Sequence, residues 1–600
     1  MKKFSRRRML GALPASIVWP HVLRGASAPL NLETVRAGRG AVVLSSGSEA
    51  DPTRIVLERT WQRGLCRSKI TNRGQSAAAI REVALFRLKL AIPAQSQLYG
   101  EGFQMLSQTG GTWGAPADIG GYTDRKHYRI PQPEDARVVY SLLTLSDAGQ
   151  TALMAFTSSR RFAGKFYLRP SGIEVVQETE GLTLAPGESW ELEEFLFAAG
   201  AERDGLLGSL AAHLQRNHPR LAFPRAPEGW CSWYCFGPKV TAEQVLENLD
   251  FIARHVPALK YVQIDDGYQP AMGDWLETGA AFGGGIREVL REIRKRGFQP
   301  AIWVAPFIAE EKSHVFRQHP DWFIRGADGA PLASNRVTFG GWRHGPWYAL
   351  DGTHPGARKH LEELFRVMRE EWGCTYFKLD ANFWGAMHGG IFRDPKASRI
   401  EAYRRGMQAV LRGTKDAFVL GCNHPVWASM GLIHGSRSSG DISREWQTFS
   451  SVARENLHRA WQNGKLWWND PDAVVLMGKL PEEEFRFHAT ATFATGGMML
   501  SGDDLTKIDA ARLAMLRKLI PPTGIPAVFE DPGFTAGRME TPAHDLLIAL
   551  NWDDTPRDFQ FRLARARHVS EFWTGEDLGK RQGTLRATLP PHSGRVYLCE

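Results

Sequence analysis

Tyr376-Phe377-Lys378-Leu379-Asp380 is a short apolar run that ends on a carboxylate, and the chain repeats that plan. Upstream, Tyr261-Val262-Gln263-Ile264-Asp265-Asp266-Gly267 has the same shape; downstream, Phe418–Cys422 opens onto Asn423-His424. With Gly229–Tyr234, Gln299–Ala305, Ser438–Ile442, Leu466–Asp470 and Met498–Ser501 these make eight strand candidates. Amphipathic stretches lie between most of them, at Ala242–His255, Ile286–Arg296, Ala357–Trp372, Arg399–Arg412, Phe449–Gln462 and Glu482–Thr495. Short apolar strands alternating with helices predict a parallel α/β domain, and eight of them predict a (β/α)8 TIM barrel over residues 223–521. A ninth strand-like piece, Trp347–Leu350, is assigned to a long loop after the third strand.

At 600 residues the chain exceeds one ordinary core, so further domains are expected. Residues 29–222 carry period-two runs between turn residues, such as Arg54-Ile55-Val56-Leu57 and Gly172-Ile173-Glu174-Val175-Val176. That pattern predicts an antiparallel β-sandwich, with a helical link over Asp204–Arg216. Residues 522–600 turn β-like again (Leu546–Leu550, Phe559–Leu563, Val596–Leu598) and predict a small C-terminal β-sandwich.

The first residues read as an address. Lys2-Lys3, then Ser5-Arg6-Arg7-Arg8-Met9-Leu10, then a modest apolar run through Val22 and the small residues Ala26-Ser27-Ala28, resemble a twin-arginine signal peptide over residues 1–28. The run is too short for a membrane span, which needs about 20 apolar residues. The expectation is export to the periplasm of a protein with no membrane anchor.

The net charge of +9 sits partly in this leader, and no later Lys/Arg-rich run concentrates it, so no nucleic-acid partner is expected. The six cysteines are too scattered for a disulfide framework. Cys231 and Cys235 lie close together without a second Cys/His pair, so no metal is expected, and a single disulfide between them stays open. No cofactor is expected. Oligomeric state has no sequence signal.

Barrel enzymes work at the carboxyl ends of their strands. Here Asp265-Asp266-Gly267, Lys378-Leu379-Asp380, Cys422-Asn423-His424, Gly440-Asp441 and Asn469-Asp470-Pro471-Asp472 all converge on that rim. One aspartate there could simply cap the next helix. Five polar endings on one rim exceed what capping needs. Several carboxylates, many aromatic faces (20 Trp, 31 Phe) and no phosphate-cradling loop point to glycoside chemistry. Breaking an acetal takes an acid for the leaving oxygen and a carboxylate for the oxocarbenium-like centre. The residues alone allow several pairings among these groups.

Tyr376-Phe377-Lys378-Leu379-Asp380-Ala381-Asn382 resembles the Lys-x-Asp nucleophile segment of α-galactosidases in glycoside hydrolase clan D, families 36 and 27. Gly229-Trp230-Cys231-Ser232-Trp233 looks like their first barrel strand, and Gln263-Ile264-Asp265-Asp266-Gly267-Tyr268 like their galactose-gripping element. Arg437-Ser438-Ser439-Gly440-Asp441-Ile442 resembles their acid/base element. The resemblance covers residues 224–510. It implies a retaining hydrolase of terminal α-galactosides, with Asp380 as nucleophile and Asp441 as acid/base, about 5–5.5 Å apart. It further implies that Asp265, Asp266, Lys378, Cys422 and Arg437 hold the sugar. Trp233, Trp303 and Trp384 are stacking candidates, Arg343 a hydroxyl contact, and Asp470, Asp472 and Asp503 supporting groups on the rim. The wording Gly421-Cys422-Asn423-His424-Pro425 and the short N-terminal domain differ from family 36. Galactosyl transfer of the raffinose synthase type remains an alternative, as does an N-acetylgalactosaminide, arabinopyranoside or α-glucan substrate.

Overall fold

The computed structural model describes residues 30–600, so the signal-peptide expectation over residues 1–28 lies outside the described residues. The architecture is the expected one: an N-terminal antiparallel β-sandwich, a (β/α)8 barrel and a C-terminal β-sandwich.

In the N-terminal domain, strands from Arg39–Leu44 to Phe195–Gly200 pair antiparallel. Alternation along each strand sorts side chains between two cores. In Gln150–Phe156, Met154 and Phe156 enter the sandwich interior with Phe86, Phe166 and Phe195. Leu153 and Ala155 face the core shared with the barrel. Helix Arg203–Asn217 then buries Leu207, Leu210, Ala211 and Leu214, the i, i+3, i+4, i+7 stripe of a surface helix.

The barrel strands are Glu228–Cys231, Tyr261–Ile264, Gln299–Val304, Tyr376–Leu379, Phe418–Gly421, Gly435–Arg437, Trp468–Asp470 and Met499–Ser501. The first seven pair in parallel in that order, and the eighth pairs in parallel with the first. The Met498 N–H donates to Asn469 O at 2.8 Å, which closes the ring between the seventh and eighth strands. Two of the surrounding helices start with a reciprocal capping box, Thr241/Gln244 and Ser398/Glu401, as serine or threonine three residues before Gln or Glu favours.

Two strand expectations are corrected. The first strand stops at Cys231, and Trp233–Phe236 form a helical turn that lifts Trp233 onto the rim. The sixth strand is Gly435–Arg437 rather than Ser438–Ile442. Ser438 N–H still reaches Asp470 O of the seventh strand at 3.0 Å, but beyond it the donors go to side chains: Gly440 N–H reaches Glu455 at 2.9 Å and Ile442 N–H reaches Asp472 at 2.7 Å. A segment whose donors go to side chains cannot extend a ladder. Asp441 therefore stands on a loop four residues past its strand. The piece after the third strand is Tyr348–Ala349, which pairs antiparallel with Ile308–Ala309, outside the barrel sheet.

In the C-terminal domain, Asp545–Asn551 alternates between two cores. Leu546, Ile548 and Leu550 face the barrel, whereas Leu547 and Ala549 pack under the long hairpin Arg557–Glu571/Asp577–Leu589 with Phe559, Phe561 and Leu585. Among the described residues no helix is long and apolar enough to cross a membrane.

Buried ion pairs lock the N-terminal domain to the barrel. Arg459 and Glu101 meet at 2.6 Å with almost no exposure, and Arg399 meets Glu178 at 2.7 Å. Beside the second pair, Glu180 accepts the Arg399 N–H at 3.0 Å, and burial pushes its carboxyl up to about 7. Its folded pKa thus exceeds the unfolded value. Its stabilising contribution is full below the usual glutamate range and is lost as pH rises through about 7. Glu180→Gln keeps an acceptor for that N–H and cannot ionise. The variant is expected to gain on the order of 2 kcal/mol over wild type between pH 4.5 and pH 8, read from denaturation midpoints across that range.

Candidate active site

A cavity of about 420 Å³ opens at the carboxyl ends of the barrel strands. Asp265, Asp266, Trp303, Lys378, Asp380 and Cys422 line its interior walls, with Trp233, Arg343 and Asp441 at the same cavity. All but Arg343, which comes from the long segment after the third strand, sit at or just past a barrel-strand end, where parallel strands present their last side chains to one space. Ala381, Asn423 and Asp472, just beyond the fourth, fifth and seventh strands, hold positive φ of 51°, 43° and 77° without being glycine. Such left-handed residues cost energy and collect at functional sites.

Asp380 is half-buried. Its carboxylate accepts the Trp303 indole N–H at 3.1 Å through one oxygen and the Ala381 N–H at 2.7 Å through the other. Burial holds its pKa above the usual aspartate value, against the pull of the Lys378 ammonium. Lys378 shares the face of Asp380 two residues on, yet its hydrogen bond goes to Asp265 at 2.9 Å. Burial alone would depress the lysine; the Asp265 carboxylate outweighs it and holds the ammonium well above the usual lysine range. Asp265 also accepts from Gln263 at 2.7 Å, and its own N–H donates to Ser232 Oγ at 3.0 Å. Neighbouring Asp266 is gripped by both arms of Arg343, at 3.1 Å from Nε, and by Gln269 at 2.7 Å.

Asp441 differs: its side chain is 68% exposed, at the mouth of the cavity. Arg437 holds it from below at 3.1 Å, while also donating to Gly440 O at 3.0 Å and pairing with Asp472. Arg437 is 1% exposed and is not among the cavity-lining residues. The structure thus places its guanidinium behind the acidic loop. Trp384 is fully buried among Tyr128, Phe339, Trp342 and Trp347, away from any ligand face. Asp503 accepts the Leu476 N–H and ties Arg444, each at 2.6 Å, and Asp470 accepts the Asp472 N–H at 3.0 Å. These are supports of the barrel mouth.

All six cysteines are free thiols, Cys231 and Cys235 included. Burial pushes the Cys422 thiol well up, and His424 is held between Ser429 and Ser436 at 2.9 Å each, so neither activates the other. Asp274, Glu277 and His314 bring three potential ligand atoms within 4.8 Å, a cluster absent from the sequence reading. The Glu277 carboxylate, 2.6 Å from His314 Nδ1, raises the imidazole pKa, and an acid–imidazolium contact accounts for the cluster.

Leu106, Tyr122 and Tyr128 of the N-terminal domain also line the cavity, as do Phe339, Trp342, Asn423 and Ser439. Tyr128 donates to Asn423 Oδ1 at 2.8 Å, which fixes one wall from a residue 295 positions away. Asn423 and Ser439 adjoin residues the sequence had marked; the N-terminal three had no sequence signal.

Residues 261–404, which contain Asp265, Asp266, Lys378 and Asp380, match the Melibiase family model. Over that stretch the chain is homologous to the melibiases. It is 31% identical over 153 residues to the Myogenesis-regulating glycosidase of Mus musculus, across 25% of this chain and 20% of that protein. It is 24% identical over 377 residues to the Alpha-galactosidase of Cyamopsis tetragonoloba, across 60% of this chain and 77% of that one. The matched stretch thus spans only a fifth of the mouse protein. Among solved structures, the alpha-galactosidase TtGalA from Thermus thermophilus superposes with a TM-score of 0.61 at 22% identity, over 84% of this chain and 98% of that one. That likeness shows a shared fold.

Proposed function

We propose that this chain is a retaining glycoside hydrolase that removes terminal α-linked galactose through a glycosyl-Asp380 intermediate. The observation that carries the reading is that one sugar-sized cavity is lined by both Asp380 and Asp441, one half-buried in its wall and one at the mouth. Their settings suit different tasks. Asp380, flanked by two N–H donors and near a lysine, is a carboxylate aimed at an anomeric carbon. Asp441, open to solvent, can pass a proton to a leaving oxygen and then take one from entering water. Between them, the Lys378–Asp265 and Arg343–Asp266 pairs offer charged donors and acceptors to the hydroxyls of a ring. Such directed pairs reject a sugar whose hydroxyl points the other way, because a buried polar group would lose its partner.

The first 28 residues support a further proposal, export by a twin-arginine-type route to the periplasm, where oligosaccharides would be met outside the cytoplasm. A reporter fused after residue 28 and followed into the periplasm, with Arg6 and Arg7 replaced by lysine as control, tests it.

The reaction is tested with a panel of nitrophenyl glycosides, following product anomers by NMR. The expected result is turnover of the α-galactoside, with the α-anomer of free galactose appearing first. The β-anomer appearing first would overturn retention. Preference for an N-acetylgalactosaminide, an arabinopyranoside or an α-glucan would overturn the sugar assignment. A transfer product dominating over free galactose when a sugar acceptor is added would overturn hydrolysis.

A further inference from the structure

Helix Trp446–Arg459 follows the sixth barrel strand and contributes no residue to the cavity. One face of it nevertheless holds the near half of the loop on which Asp441 stands, at Ser438 and Gly440. Glu455 accepts the Gly440 N–H at 2.9 Å, Asn456 accepts the Ser438 hydroxyl at 2.6 Å, and Arg459 donates to Ser438 O at 3.1 Å. Glu455 and Arg459 are four residues apart and so share that face.

Of these three, Glu455 is the unusual one. It is 2% exposed, and among the described residues its carboxylate has no ion-pair partner within 4 Å. Its one side-chain hydrogen bond is to the residue directly before Asp441. On its far side lies the N-terminal domain. Gly120 has φ +84°, and a Cβ there would stand 2.7 Å from the Glu455 carboxyl. Gln108 from the same domain donates to Glu455 O at 3.3 Å. Two residues beyond Gly120 is Tyr122, on the cavity wall. Glu455 is therefore wedged between the two loops that frame the cavity mouth, one from each domain.

We infer that Glu455 is a positioning residue for Asp441: its hydrogen bond to Gly440, braced by Gly120 of the N-terminal domain, sets where the acid/base carboxyl stands. The inference rests on the proposed reaction. A buried acid without a cation is costly, and burial pushes this one up to about 7, with Arg459 and Arg437 pulling down and Asp441 pushing up. A group retained at that cost is explained by what it holds. Arg437 fixes the Asp441 side chain and Glu455 fixes the backbone beside it, so the exposed acid stands in one place without being buried.

A general acid matters most when the leaving group needs its proton, which gives the test a signature that loss of fold does not share. Three variants are compared on a dinitrophenyl α-galactoside, whose leaving group departs unaided, and on an α-galactosyl oligosaccharide, whose leaving group does not. Glu455→Asp keeps the charge but is too short to reach Gly440; Glu455→Leu loses both; Glu455→Gln keeps length and acceptor without the charge. For Asp and Leu, kcat/KM on the oligosaccharide is expected to fall roughly 10²-fold, while the dinitrophenyl substrate changes only a few-fold. Gln is expected to retain both activities to within a few-fold. Equal losses on the two substrates, no loss in the Asp variant, or a Gln variant as poor as Asp would each overturn the positioning role. Wild-type protein inert on both substrates would overturn the hydrolase reading and this inference with it. An active wild type with uniform losses overturns this inference alone.

Discussion

Asp380→Ala is expected to lower kcat on p-nitrophenyl α-galactoside by about 10⁴-fold or more, near 5.5 kcal/mol of barrel-site stabilisation at the transition state. Added azide is expected to restore turnover as β-galactosyl azide. Trp303 and the Ala381 N–H hold the two carboxylate oxygens of Asp380, so truncation leaves a vacancy with its donors still in place. A small anion entering there attacks from the face opposite the leaving group and inverts the centre. Asp441→Ala should behave in the opposite sense. Its covalent intermediate still forms from an activated substrate, and azide captures it with net retention, giving the α-azide. The configuration of the azide product, read by NMR, therefore separates the two roles. Near-normal rates in both variants would end the assignment of both.

Lys378→Met is expected to combine a large stability loss with a large activity loss. Lys378 and Asp265 meet at 2.9 Å with side chains 7% and 2% exposed. Removing one member of such a pair leaves the other charged and unpaired in a dry site, a loss of about 3–5 kcal/mol. Adding Asp265→Asn removes the orphaned charge, and the double variant is expected to regain most of that stability in chemical denaturation. Activity should not return with it, because both groups that would meet the sugar hydroxyls are gone. The coupling between the two substitutions measures the pair itself. If Lys378→Met alone is as stable as wild type, the ion pair is not what fixes Asp265 in place.

The polar strand endings were legible before any coordinates because a barrel leaves little choice. A parallel strand four residues long buries its middle and must place its charged end at the rim, so Asp265 and Asp380 announce themselves as the last letters of apolar words. The same logic failed at Asp441. Residues 438–442 read as a strand, but the backbone donors of Gly440 and Ile442 are taken by Glu455 and Asp472, which lie 15 and 30 residues further along. The partners of Arg437 were hidden for a related reason. It is adjacent to the acid loop in sequence, and only the fold turns its guanidinium beneath the loop toward Asp472.

From the letters alone come the three-part architecture, the order of strands and helices, and the gathering of carboxylates at the rim. All of these follow from periodicity and from which residue types can end a buried strand. Tertiary structure alone decided which charges pair, so that Lys378 meets Asp265 and Arg343 meets Asp266. It also decided that Leu106, Tyr122 and Tyr128 of the N-terminal domain wall the cavity. The reason is physical: pairing and enclosure depend on distances between segments remote in the chain, and no local pattern encodes those.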